Sequence, residues 1–205
     1  LSKYFGTIPH GELMQGAARR IVDRHVLHII KMWLEAPVEE RDRDGRRRMS
    51  GGKASQHGTP QGGVISPLLA NLYINRFLKF WRLQEKTKAL RARVVSYADD
   101  FVILSRGHAV EALAWTRGVM ARLRLTLNEA KTSIKDARKE RFDFLGYTFG
   151  PHYRRKDGWR YLGASPSRKS VQRIKNKVGE LLQPRQVGPW AEVRDQLNRI
   201  LRGWS

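Results

Sequence analysis

The chain has 205 residues, 40 Lys and Arg against 19 Asp and Glu for a formal net charge of +21, and no cysteine. Disulfides and thiolate zinc sites are excluded, and a reducing cytoplasm is the expected compartment. Charge of this size and sign points to a polyanionic partner, because each neutralised phosphate releases counterions, and nucleic acid is the first expectation. An anionic membrane surface competes, but the basic stretches are interleaved with Trp, Tyr and Gly and form no clean amphipathic helix. No apolar run reaches the ~18 residues needed to cross a bilayer, and no signal-peptide pattern opens the chain, so no membrane partner is expected.

In chain order, Leu1 to Ile8 reads as the end of a strand. Leu13, Ala17 and Ile21, then Val26, Ile29, Ile30, Trp33 and Leu34, recur at helical spacing. They predict one or two amphipathic helices up to Pro37, with these residues as core. Residues 38–57 carry Asp44-Gly45 between charged flanks and then Gly51-Gly52. This predicts a basic hairpin or loop, either simply solvated or in contact with RNA. Gly58-Thr59-Pro60-Gln61-Gly62-Gly63 then leads to Ser66-Pro67, a cap followed by a residue with its φ already fixed. A glycine loop feeding a helix N-terminus lets the backbone of Gly62 and Gly63 approach a phosphate or a base pair, although a plain connecting loop has the same composition.

Val94-Val95-Ser96-Tyr97-Ala98-Asp99-Asp100-Phe101-Val102-Ile103-Leu104 places two adjacent carboxylates inside an apolar, β-branched run. The flanks predict strands over Arg93 to Ser96 and Phe101 to Ser105 with the bend at Ala98-Asp99. Neighbouring carboxylates in a half-buried turn repel each other and lose hydration, so they need a cation. With no Lys or Arg between Val94 and Leu104, the simplest compensator is a divalent metal ion held by oxygen ligands. An ordinary surface turn is the alternative, since Asp favours turns for local reasons.

A helix is expected from His108 to Leu123, carrying Leu113, Trp115, Val119 and Leu123. Leu125 to Asn128 alternates like a short strand before Glu129-Ala130-Lys131-Thr132, and Phe142 to Phe149 reads as an aromatic strand with one glycine. Asp157-Gly158 amid Arg154, Arg155, Lys156, Trp159 and Arg160 is a hairpin signal with basic and aromatic side chains. From Ser165 the composition becomes that of a basic helical unit, which puts the boundary near 162–166 and divides the chain into 1–163 and 164–205. Neither end looks like a natural terminus.

Six stretches in this order and spacing resemble a group II intron-encoded reverse transcriptase and maturase. They are Ser2-Lys3-Tyr4-Phe5, Gly58 to Pro67, Tyr97-Ala98-Asp99-Asp100, Leu125 to Thr132, Phe144-Leu145-Gly146-Tyr147, and Leu201-Arg202-Gly203-Trp204-Ser205. The resemblance implies an α+β fold, a polymerase palm of antiparallel sheet with helices packed on one face, followed by a helical thumb-like segment. It implies RNA-directed DNA synthesis from deoxynucleotides by two-metal nucleotidyl transfer, with two Mg²⁺ ions or Mn²⁺ in their place. The partners would be an RNA template, a DNA primer or target, and intron RNA whose splicing the protein assists.

By the same resemblance Asp99 and Asp100 bind metal, and Lys131 sits near the pyrophosphate as general acid or charge stabiliser, a solvated helix-end lysine being the plain reading. Phe5 stacks under the sugar, or is simply core. Pro60, Gln61, Gly62 and Tyr97 border the incoming nucleotide. Phe144, Leu145 and Gly146 support the primer end, unless they only form a packed sheet edge. Arg168, Lys169, Arg173, Lys175 and Lys177 contact RNA. The family's first catalytic Asp falls immediately before the position of Leu1, the fingers fall outside the chain, and Gly6 stands where many relatives carry Asp. The 205 residues alone are therefore expected to polymerise poorly or not at all. A non-catalytic RNA-binding module that retains the palm scaffold is the second reading.

Overall fold

The computed structural model describes every residue except 42–45, 61, 184–187 and 205, and divides the chain into two units, Leu1–Ile134 and Lys135–Ser205. The first unit opens on a one-turn helix, α1 (Tyr4–Thr7), where a strand end was expected. Ser2-Lys3-Tyr4-Phe5-Gly6 holds no β-branched residue to favour a ladder. Instead Tyr4 turns into the core, and its hydroxyl donates to the Ala70 carbonyl at 2.6 Å. Helices α2 (His10–Ala18) and α3 (Arg24–Leu34) follow. The Asp23 carboxylate caps α3, accepting from the His25 and Val26 N–H groups at 2.7 and 3.3 Å. Leu13, Ala17, Ile30 and Leu34 are buried as expected, whereas Val26, Ile29 and Trp33 are 40, 44 and 46% exposed. Periodicity identifies an apolar face but does not say that anything covers it.

Strands β1 (Pro37–Arg41) and β2 (Arg47–Gly51) pair antiparallel with Pro37 opposite Gly51, which realises the expected basic hairpin. Its Asp44-Gly45 turn lies outside the described residues. Helix α4 (Ser66–Leu83) carries the main buried stripe, Leu69, Ala70, Tyr73, Ile74, Phe77 and Trp81. Its cap is Ile65 and not Ser66, which is the first helical residue. The Ser66 hydroxyl instead donates back to the Pro60 carbonyl at 2.6 Å, closing the glycine loop on the helix.

After the short α5 (Lys86–Ala89), strands β3 (Ala92–Tyr97) and β4 (Asp100–Ser105) form a hairpin, and α6 (Ala109–Arg122) packs beside it. Phe77 of α4 is the hub that joins them. Its ring lies 5.3 Å from Phe101 on β4, 5.7 Å from Trp115 on α6 and 6.5 Å from Trp81. Both indoles are satisfied, Trp115 donating to Gln84 at 2.8 Å and Trp81 to Thr87 at 3.0 Å. The expected strand at Leu125 to Asn128 is extended chain without a ladder. It accepts one bond from the Ser2 N–H at the Thr126 carbonyl, 2.9 Å, and helical α1 offers no strand beside it.

In the second unit β5 (Phe142–Phe144), β6 (Tyr147–Tyr153) and β7 (Arg160–Pro166) form one antiparallel sheet in sequence order. The single aromatic strand expected over Phe142 to Phe149 is thus two strands, folded at Leu145-Gly146, where φ is +50° and +84°. Consecutive positive φ values make the two-residue turn that suits strand twist. Helices α7 (Arg168–Leu181) and α8 (Trp190–Arg202) complete the unit. The division falls earlier than the composition change at 162–166, because the sheet is tied to the start of α7. The Gly146 carbonyl accepts from the Ser167 N–H at 2.8 Å and the Ser170 hydroxyl at 2.9 Å. The fold class is α+β, and no described helix is long and apolar enough to cross a membrane.

Gly58 meets the start of the chain at close range. Its φ is +94°, and a Cβ there would lie 3.3 Å from the Gly6 backbone. Gly58→Ala is expected to cost about 1–3 kcal/mol, through backbone strain and displacement of α1. Urea unfolding checks this; Gly6→Ala, where a Cβ meets nothing within 4 Å, should stay within the smaller Gly-to-Ala effect.

Candidate active site

The acidic turn is a two-residue connection. Tyr97 pairs with Asp100 as the last rung of the hairpin, and Ala98-Asp99 closes it, Ala98 with a φ of +50°. Asp99 is half-buried, whereas Asp100 and Tyr97 are exposed. Among the described residues no hydrogen bond or cationic side chain engages either carboxylate. Burial pushes the nearby Tyr4 phenol above its ordinary range, and the Asp99 charge adds to that. The donors are oxygens only, a set that suits a hard divalent ion held by one or two carboxylates, waters and substrate phosphates. Among the described residues no group of three or more His, Cys, Asp or Glu gathers.

The start of the chain lies against this turn. The Leu1 nitrogen donates to the Asp99 carbonyl at 3.1 Å, and Ser2 bonds Thr126 on the segment leading to Lys131. Lys131 is exposed in a turn where the Asn128 carbonyl accepts from the Lys131 N–H at 3.0 Å and the Thr132 hydroxyl at 2.8 Å. Its ammonium has no partner among the described residues.

Phe5 and the glycine loop share a cleft lined by Phe5, Gly62, Gly63, Val64, Ser66 and Pro67. Backbone bonds fix its two walls together: Thr59 N–H to the Phe5 carbonyl at 2.6 Å and Gly58 N–H to Ile8 at 2.8 Å. Gly63 allows the loop to close, since a Cβ would sit 2.8 Å from the Ser66 hydroxyl. Phe5 is half-buried with its ring 5.8 Å from Tyr4, and so is both packed and partly open to the cleft. Pro60 anchors the loop through its carbonyl, and Gln61 lies outside the described residues.

The remaining predicted residues belong to the second unit. Phe144 ends β5, half-buried, while Leu145 and Gly146 are the exposed two-residue turn braced by Ser167 and Ser170. On α7 Arg168, Lys169, Arg173, Lys175 and Lys177 are all exposed, while Val171, Ile174, Val178 and Leu181 are half-buried. Sequence reasoning missed His10, whose Nε2 lies 2.6 Å from the Gly58 carbonyl and clamps the loop against α2. Nothing in local composition signals a contact across 48 positions.

The profile of the reverse transcriptase (RNA-dependent DNA polymerase) family matches residues 1–149. The chain belongs to that family. It is also similar to Protein YkfC of Escherichia coli (strain K12), 32% identical over an alignment covering 72% of this chain and 44% of that protein. The chain spans less than half the length of this relative.

Proposed function

We propose that this chain contributes the palm and the start of the thumb to a group II intron-type RNA-directed DNA polymerase acting in the cytoplasm, and that the polymerase also binds intron RNA to assist splicing. The observation that carries this reading is the pair of adjacent carboxylates, Asp99 and Asp100, at the end of the β3–β4 hairpin with no cationic side chain on them among the described residues. The division into palm, 1–163, and thumb, 164–205, is part of the proposal and follows function, not compactness.

Asp99 and Asp100 would hold Mg²⁺, or Mn²⁺ in its place. Metal held there would supply charge stabilisation for the oxygens of an in-line displacement. Phe5 supports the sugar, and Pro60, Gln61 and the Gly62 backbone lie along the nascent base pair beside Tyr97. Lys131 donates a proton or positive charge towards the leaving pyrophosphate. Phe144, Leu145 and Gly146 steady the primer end. Assay of RNA-templated primer extension tests the reading: incorporation of deoxynucleotides should stop when divalent cations are chelated and resume when Mg²⁺ is restored.

The second reading, a non-catalytic RNA-binding module that retains the palm scaffold, is fitted equally by the net charge of +21. Both readings give α7 to RNA. Arg168→Gln, Lys169→Gln and Arg173→Gln together should weaken RNA binding at low salt and flatten the slope of log affinity against log salt by about 2. An unchanged slope would remove α7 from the RNA surface.

A further inference from the structure

The β6–β7 hairpin carries aromatic and basic side chains that the polymerase reading does not use. Its turn is rigid. Arg154 and Asp157 form a two-pronged ion pair, the Trp159 N–H donates to the Asp157 carboxylate at 3.1 Å, and the Gly158 N–H donates to the Arg154 carbonyl at 2.8 Å. Asp157, the one acid in this turn, is thereby occupied by Arg154. Arg155 and Lys156 are exposed and have no partner among the described residues.

The Arg154 N–H to Trp159 carbonyl bond, 2.9 Å, continues the ladder beyond the Tyr153–Arg160 rung. Trp159 therefore lies on the same side of the hairpin as Tyr161, two residues on. They are 67 and 47% exposed, and His152, opposite Tyr161 in register, braces that ring at 5.9 Å. Two residues along an extended chain span about 6.6 Å, so two exposed aromatic residues share one face beside a cationic turn.

We propose that this hairpin is a binding site for single-stranded nucleic acid, with unpaired bases stacking on Trp159 and Tyr161 and phosphates contacting Arg155 and Lys156. It rests on the family's nucleic-acid partner but not on catalysis by this chain. Stacking selects single strands, because bases inside a duplex do not offer their faces. The charge around the turn matches a phosphate backbone, which an apolar protein partner would lack.

Fluorescence anisotropy of the 205-residue chain with a labelled mixed-sequence oligoribonucleotide, alone and annealed to its complement, tests this. Trp159→Ala and Tyr161→Ala should each weaken single-strand binding by about fivefold or more, with duplex binding little changed. Trp159→Phe should restore most of the loss, which a structural defect would not allow. Arg155→Gln with Lys156→Gln should flatten the single-strand salt slope by about 1.4. Single-strand affinity unchanged in both alanine variants, as a protein-docking role for the rings would give, overturns the proposal; so does an equal loss on duplex. Extension on a pre-annealed primer and template is read separately, so failure of the polymerase reading leaves the affinity comparison standing.

Discussion

In the polymerase to which this chain is proposed to contribute, Asp99→Ala is expected to abolish RNA-templated primer extension, by on the order of 10³-fold or more, while RNA affinity stays within about twofold. Asp99 is the half-buried member of the pair and sits in the turn itself, beside the Leu1 backbone. In the proposed reading, removing it takes away a metal ligand without touching the exposed cations of α7, to which RNA binding is assigned. Asp100→Ala should behave similarly. Affinity is measured by anisotropy at fixed salt, and extension by single-nucleotide incorporation under the same conditions. A variant that loses both together would indicate misfolding; one that keeps extension would remove Asp99 from the metal site.

Phe77→Ala is expected to have the largest effect on stability, about 3–5 kcal/mol, because the ring is fully buried among Trp81, Phe101 and Trp115. The consequence reaches the site. Phe101 follows Asp100 directly, and its contact with Phe77 fixes the first residues of β4 against α4. The variant should lower the urea midpoint of the first unit and, under conditions where it remains folded, reduce extension more than RNA binding. Phe77→Leu, which refills much of the volume, should recover a large part of both. A loss below about 1 kcal/mol in the alanine variant would mean that the aromatic cluster is not the pillar of the hairpin.

The acidic hairpin was legible because two charges inside a β-branched run have few physical excuses, and its flanking strands came with it. Helix α4 was legible from the Ser66-Pro67 start, α6 from the spacing of its apolar residues, and the helical unit of α7 and α8 from its basic composition. What escaped depends on contacts between distant residues. Leu145 adopts a positive φ that its residue type does not advertise, so one strand was read where two exist. Tyr4–Thr7 form a helical turn in place of a strand end, with the Tyr4 hydroxyl on the Ala70 carbonyl, a partner 66 positions away. Ser66 has the composition of a cap, yet its hydroxyl is spent on Pro60. The open face of α3 shows the limit of pattern: Val26, Ile29 and Trp33 fit a core stripe in spacing and remain exposed.

The most direct measurement is Mg²⁺-dependent incorporation of deoxynucleotides into a DNA primer annealed to RNA, by the polymerase to which this chain is proposed to contribute and by its Asp99→Ala variant. The account predicts extension by the parent that chelation abolishes, and none by the variant. Extension of equal rate in both, or no extension by a parent that binds RNA tightly, would contradict a catalytic centre at the β3–β4 hairpin.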